Sequence, residues 1–172
     1  VDDVEGRVEA LFDGLAGVDW AESGYIGGNV LGPSYREVCG SATGHAEAVR
    51  IVLYRDVVSF DEVLYIFFEI HDPTQLNRQG NDVGTHYRSA IFPHSPEQET
   101  AARAAIARAQ ADRDRPIVTI IETPSDRYVA EDYHQEYFDR EGAANPYCQI
   151  VVAPKLANFR KKHADQLKAV AA

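Results

Sequence analysis

Apolar residues recur at Val8, Leu11, Phe12 and Leu15, three and four positions apart, and this spacing predicts a core-facing helix. Asp3 stands where it can accept backbone hydrogen bonds at the helix start, and Gly17 where it can close the end. Residues 19–44 are rich in Gly, Pro and Ser without a clear period, which predicts a long ordered loop. From Ala46 the pattern alternates, so Glu47, Val49, Ile51 and Leu53 share one face of a predicted strand and a carboxylate falls in register with an apolar row. Ser59 and Glu62 make a capping-box pattern ahead of Phe60, Val63, Leu64 and Phe67, predicting a second helix that ends near His71. Tyr87, Ser89 and Ile91 alternate as a short strand. Ser95, Pro96 and Gln98 then supply an N-cap, a first-turn proline and a capping partner for an alanine-rich helix to about Gln110. The β-branched run Ile117 to Ile121 predicts an inner strand. Further helices are predicted over roughly Tyr128 to Phe138 and Leu156 to Lys168, the last with Leu156, Phe159, His163 and Leu167 on one side. Helices and strands alternate loosely, the pattern of an α/β or α+β two-layer domain.

Composition narrows the class. A chain of 172 residues, 45% hydrophobic and without an apolar run of about 18 residues, reads as one soluble domain spanning residues 1–172. Seventeen basic against 27 acidic residues give a formal charge of −10, which disfavours nucleic acid and anionic membranes and leaves small molecules or polypeptides as partners. Two cysteines, Cys39 and Cys148, make no disulfide framework, and with no signal-peptide pattern in view the expected location is the cytoplasm. His45, His71, His86 and His134 are spaced in no compact ligand set, so neither a metal nor a cofactor is expected.

The densest polar stretch, His71-Asp72-Pro73-Thr74, Asn77-Arg78-Gln79-Gly80-Asn81-Asp82 and Tyr87-Arg88-Ser89, lies between the apolar runs 63–68 and 90–92. Polar groups held there either satisfy one another or serve a ligand. HDPT, NRQGND and YRSAI resemble, in this order and spacing, the signature of the peptide methionine sulfoxide reductase A family. The likeness continues through Gly24-Tyr25-Ile26-Gly27-Gly28, Pro33 to Cys39, Thr43-Gly44-His45-Ala46-Glu47-Ala48-Val49 and Ala130 to Gln135, covering roughly residues 8–160. It implies a two-layer sandwich in which a mixed β-sheet packs against helices.

In that family a cysteine thiolate in a Gly-Cys-Phe-Trp motif, at the N-terminus of the first helix, attacks the sulfoxide sulfur. A carboxylic acid on a strand protonates the oxygen with help from two tyrosines, and a later cysteine resolves the sulfenic acid. The resemblance places the acid at Glu47, the hydroxyls at Tyr35 and Tyr87, a second pocket carboxylate at Asp82 and a possible resolving cysteine at Cys148. Cys39 matches a cysteine without a catalytic role, and His86 replaces the family's usual glutamine before Tyr87. His86 and His134 are candidates for substrate contact. Gly-Cys-Phe-Trp does not occur in the 172 residues; counting back from Val8-Glu9, its Cys, Phe and Trp fall on Val4, Glu5 and Gly6, and if the register slides by four, so that Val4-Glu5 takes the place of Val8-Glu9, the motif falls ahead of Val1. The residues given therefore lead to an expectation of non-redox acid–base chemistry, dehydrating, cyclising or isomerising a small polar substrate. Glu47 would act as the acid and Glu5, in the first helical turn, as the charged partner, with Val4 and Gly6 lining the pocket. The alternatives are a reductase whose nucleophile motif lies outside this sequence, using thioredoxin as reductant, and a module that binds sulfoxides without turnover.

Overall fold

A first compact unit comprises Val1–Ser23, Val49–Val58 and Ala130–Ala172, and a second Gly24–Ala48 and Ser59–Val129. The computed structural model describes residues 4–136 and 153–168, with the backbone alone described at 4–7, 153, 155 and 156. In the first unit helix α1 (Val4–Asp13) turns Leu11 and Phe12 inward, and Leu15 just beyond it is buried with them. Gly17 follows at φ +88°, where a Cβ would stand 2.8 Å from a Val58 methyl, so glycine supplies both the conformation and the room. Asp3, the expected N-cap, lies outside the described residues.

The stretch expected to be a loop contains strand β1 (Val18–Ile26) and the short helix α2 (Tyr35–Cys39). β1 escapes the alternation test because Ser23, Gly24, Tyr25 and Ile26 are all buried in succession. β2 (Ala46–Leu53) forms where alternation predicts it. The sheet order is β2-β1-β7, with β7 (Tyr128–Val129) antiparallel to β1 and Tyr25 opposite Tyr128.

The helix predicted from Tyr128 to Phe138 does not form in its described part: after β7, residues 132–136 are turns. The Gln135 amide accepts from Ser23 N–H at 3.2 Å and donates to the Ser23 and Ala130 carbonyls at 3.0 and 2.9 Å. These side-chain bonds hold the segment to β1 and replace a helical ladder. The final helix, numbered α5 below, runs Ala153–Lys162 and gives way to a 3-10 turn at Ala164–Gln166, ending short of the predicted Lys168. Phe159 and His163, read as lying on one side, are both buried. Leu15 and Leu167 form a backbone bridge.

In the second unit α3 (Phe60–Ile70) starts where the capping box predicts. Ser59 Oγ accepts from Glu62 N–H at 3.2 Å, and Glu62 Oε2 accepts from Ser59 N–H at 2.8 Å. Its buried residues are Val63, Leu64, Ile66 and Phe68, so Phe60 and Phe67, expected inside, are only half-buried at the margin. α4 (Pro96–Ala111) matches its predicted bounds, and Ser95 Oγ accepts from Gln98 N–H. The Gln98 side chain accepts from His94 N–H. Leu64 and Phe68 pack on Ala102 and Ala105, whose small side chains let the two helices approach.

β5 (Ala90–Ile91) pairs in parallel with β6 (Ile120–Ile121). The strand expected from Tyr87 starts later, because Thr85–Tyr87 is a 3-10 turn closed by bonds from Tyr87 N–H to Gly84 O and Arg88 N–H to Thr85 O. The run from Ile117 forms strand only at its end, since Val118 N–H donates to Pro73 O instead. A hairpin of β3 (Arg78–Gln79) and β4 (Asp82–Val83) turns at Gly80, φ +65°. No helix among the described residues is long and apolar enough to cross a membrane.

Candidate functional site

Much of the polar stretch 71–89 satisfies itself. His71 Nδ1 lies against the Phe67 carbonyl, which can only accept, so Nδ1 carries the proton and Nε2 accepts from Ser89 Oγ at 2.8 Å. Ser89 in turn accepts from Thr119 Oγ1 at 2.7 Å. Asp72 Oδ1 accepts from the Thr74 amide and hydroxyl, and Asp72 Oδ2 pairs with Arg115 at 2.9 Å. These bonds hold its carboxyl below the usual carboxylate range, the Thr74 hydroxyl contributing most. His71, Asp72, Thr74 and Ser89 thus brace the unit.

His45 does the same for the loop ahead of β2. Its Nδ1 accepts from Gly28 N–H at 3.0 Å and its Nε2–H donates to Val30 O at 2.8 Å, with the edge of the ring against Tyr128.

The chemistry concentrates where α2, β2 and the 85–87 turn meet within the second unit. Ser34 N–H and Oγ–H both donate to Glu37 Oε2, at 2.8 and 2.7 Å, and start α2 so that Tyr35 and Cys39 lie one turn apart on the same side. One ligand atom each from Cys39, Glu47 and His86 lie within 4.8 Å of one another. The Tyr35 hydroxyl is hydrogen bonded to Cys39 and feels Glu47 and Tyr87. Burial first, then the Cys39 bond, raises its pKa far above the ordinary phenol range, so Tyr35 keeps its proton for donation. Ser41 Oγ lies 2.9 Å from His86 Nδ1 and fixes the ring. Glu47 Oε1 is sealed from solvent. A cleft of about 570 Å³ opens beside this cluster, lined by Ser41 and Thr85 together with Gly27, Gly28, Asn77 and Arg88. Arg88 is held there by Glu122 at 2.8 Å.

Of the residues singled out in the sequence, Glu47, Tyr35, Tyr87 and His86 come together, and Cys39, given no role there, joins them. Asp82 sits on β4 in the same unit with Oδ2 buried. Val4, Glu5 and Gly6 form the first turn of α1, with only their backbone described. His134 belongs to the first unit, buried against the Tyr133 ring, and burial lowers its pKa. Cys148 lies outside the described residues. Sequence spacing could not assemble the Cys39–Glu47–His86 group because each member comes from a different element.

Two phenols, a carboxyl, a thiol and an imidazole thus gather on a mixed α/β frame. The family model described as peptide methionine sulfoxide reductase matches residues 7–168, and the chain belongs to that family. It is 56% identical over 156 residues to the peptide methionine sulfoxide reductase MsrA of Erwinia tasmaniensis, covering 91% of this chain and 88% of that one. It is 51% identical over 162 residues to the MsrA of Deinococcus radiodurans, covering 93% and 78%. Among solved structures, Mxr1 of Saccharomyces cerevisiae in reduced form superposes with a TM-score of 0.72 at 32% identity over 78% of this chain and 79% of that one. Methionine sulfoxide reductase A of Corynebacterium diphtheriae gives 0.69 at 39% identity over 78% and 69%.

Proposed function

We propose that the protein acts as a peptide methionine sulfoxide reductase. The observation that carries this is the gathering of Cys39, Glu47 and His86 within 4.8 Å, with Tyr35 bonded to the thiol, in a chain of this family. Glu47 gives a proton to the sulfoxide oxygen while the Tyr35 and Tyr87 hydroxyls bond to it, and a thiolate attacks the sulfur. The oxygen passes to the thiol as a sulfenic acid and the substrate leaves as a thioether. A second thiol then displaces water to form a disulfide, which an external dithiol of the thioredoxin kind reduces with two electrons and two protons. Asp82 completes the pocket as a second carboxyl, and the substrate is methionine S-sulfoxide in a peptide. The non-redox reading, with Glu5 opposite Glu47, draws no support from the relatives from Erwinia tasmaniensis, Deinococcus radiodurans and Rhodopirellula baltica, each named as a peptide methionine sulfoxide reductase.

In this reading the attacking thiol comes from a nucleophile motif not contained in the 172 residues. A second reading, favoured by the placement of Cys39 Sγ beside Glu47 and His86, makes Cys39 the nucleophile. Turnover of a methionine sulfoxide peptide with excess dithiothreitol tests both. Activity in an N-terminally extended chain that survives Cys39→Ser supports the first; activity of the 172-residue chain that is lost in Cys39→Ser supports the second. Silence of both chains overturns the function.

A further inference from the structure

The same three side chains carry a second chemistry that sulfoxide reduction does not use. We propose that Cys39 Sγ, a Glu47 carboxylate oxygen and a ring nitrogen of His86 form a binding site for a divalent cation of the zinc class. Their ligand atoms lie within 4.8 Å of one another. A tetrahedral zinc ion, with bonds of about 2.0–2.3 Å, holds such atoms roughly 3.3–3.7 Å apart. Inward shifts on the order of 1 Å close the difference.

The donor set is the one zinc selects: one thiolate, one imidazole and one carboxylate. Two negative charges from Cys39 and Glu47 balance the cation, so the half-buried group carries no net charge when filled. Three protein ligands leave a fourth position for water.

The surroundings also suit a ligating imidazole. Ser41 Oγ, 2.9 Å from Nδ1, can accept the Nδ1 proton, which leaves the Nε2 lone pair for a cation; metal-bound histidines commonly make such an outer hydrogen bond. Gly84 makes room for the ring, since a Cβ there would stand 2.4 Å from His86 Cε1 and 3.0 Å from Ser41 Oγ. Because Glu47 is also the proposed acid, a bound cation takes its proton-donating oxygen and the Cys39 sulfur together, and so shuts the pocket. That consequence rests on the reductase reading; cation binding itself does not.

The test uses the reduced 172-residue chain, kept anaerobic with a phosphine reductant and titrated with cobalt(II), whose bond to a thiolate gives a near-ultraviolet charge-transfer band. The expected result is a band that saturates at one equivalent, is abolished by zinc, persists in Cys148→Ser and disappears in Cys39→Ser. In His86→Gln, close to the imidazole in size, affinity measured by chelator competition should fall at least 10-fold. Ser41→Ala should weaken it by roughly 10- to 100-fold. No band in the parent chain, or a band that survives Cys39→Ser or is unchanged in His86→Gln, overturns the site. Circular dichroism of each cation-free variant separates loss of a ligand from loss of fold, and the parent result stands whatever the variants do. Since no turnover is measured, failure here leaves the reductase reading intact, and failure of the reductase assay leaves this one.

Discussion

Replacing Gly28 with alanine puts one methyl group where the structure has no room. A Cβ there would stand 2.5 Å from His45 Cγ, Cδ2 and the backbone nitrogen, inside any ordinary contact distance. Gly28 is not among the residues with positive φ, so the cost is steric rather than conformational. The imidazole cannot step aside freely, because Gly28 N–H and Val30 O grip its two nitrogens and the residue is only 1% exposed. Overpacking of this kind costs about 1–3 kcal/mol. Losing the Gly28–His45 hydrogen bond adds about 1 kcal/mol. The expected destabilisation is therefore about 2–4 kcal/mol, which at an m-value of about 2 kcal/mol/M moves the urea midpoint down by roughly 1–2 M. The same substitution in a His45→Ala background should cost less, since the ring overlap is gone and only the clash with the backbone nitrogen persists; the difference measures the ring's share. A Gly28→Ala protein within about 0.5 kcal/mol of the parent, at unchanged m-value, would show that the His45 lock does not hold this loop in place.

Glu9 offers a test in pH. Burial lifts its carboxyl above the ordinary 4.5, against the opposing bonds from Ser23 and the Glu136 amide. Between that value and the raised one this carboxyl holds more of its proton in the folded protein than in the unfolded chain, so the stability it contributes is full below the window and declines as pH rises through it. Glu9→Gln should flatten that decline in urea melts taken across the acidic range, and superimposable slopes for the two proteins would refute the assignment. Ser59→Ala removes the oxygen that accepts from Glu62 N–H and should cost about 0.5–2 kcal/mol in the same melts; a change near zero would mean the cap is not holding α3. Glu47→Gln, in whichever form of the chain turns over, should lower kcat by roughly 10²–10⁴ with the fold intact, the worth of a positioned general acid. Equal rates would remove Glu47 from the proton path.

What the sequence disclosed followed the range of the interactions involved. The starts of α3 and α4 were readable because a serine and a side chain three residues on complete their bonding among themselves. β7 was not, because it is two residues long and exists only through a partner distant in sequence; the run from Ile117 was readable as strand, but not that only Ile120–Ile121 would pair, with Ala90–Ile91. Resemblance picked out Glu47, Tyr35 and Tyr87 one at a time, but no linear reading could bring Cys39 to Glu47 and His86. Ser34 and Glu37 nevertheless carry the same local pattern as Ser59 and Glu62, with Glu37 Oε2 bonded to both the Ser34 amide and hydroxyl. That pattern inside the supposed loop starts a helix at Tyr35, and a helix starting there puts the position four residues on, Cys39, beside the phenol. The thiol's place in the pocket was therefore half visible in the chain; the other half needed His86, whose ring is set by Ser41 from across the fold.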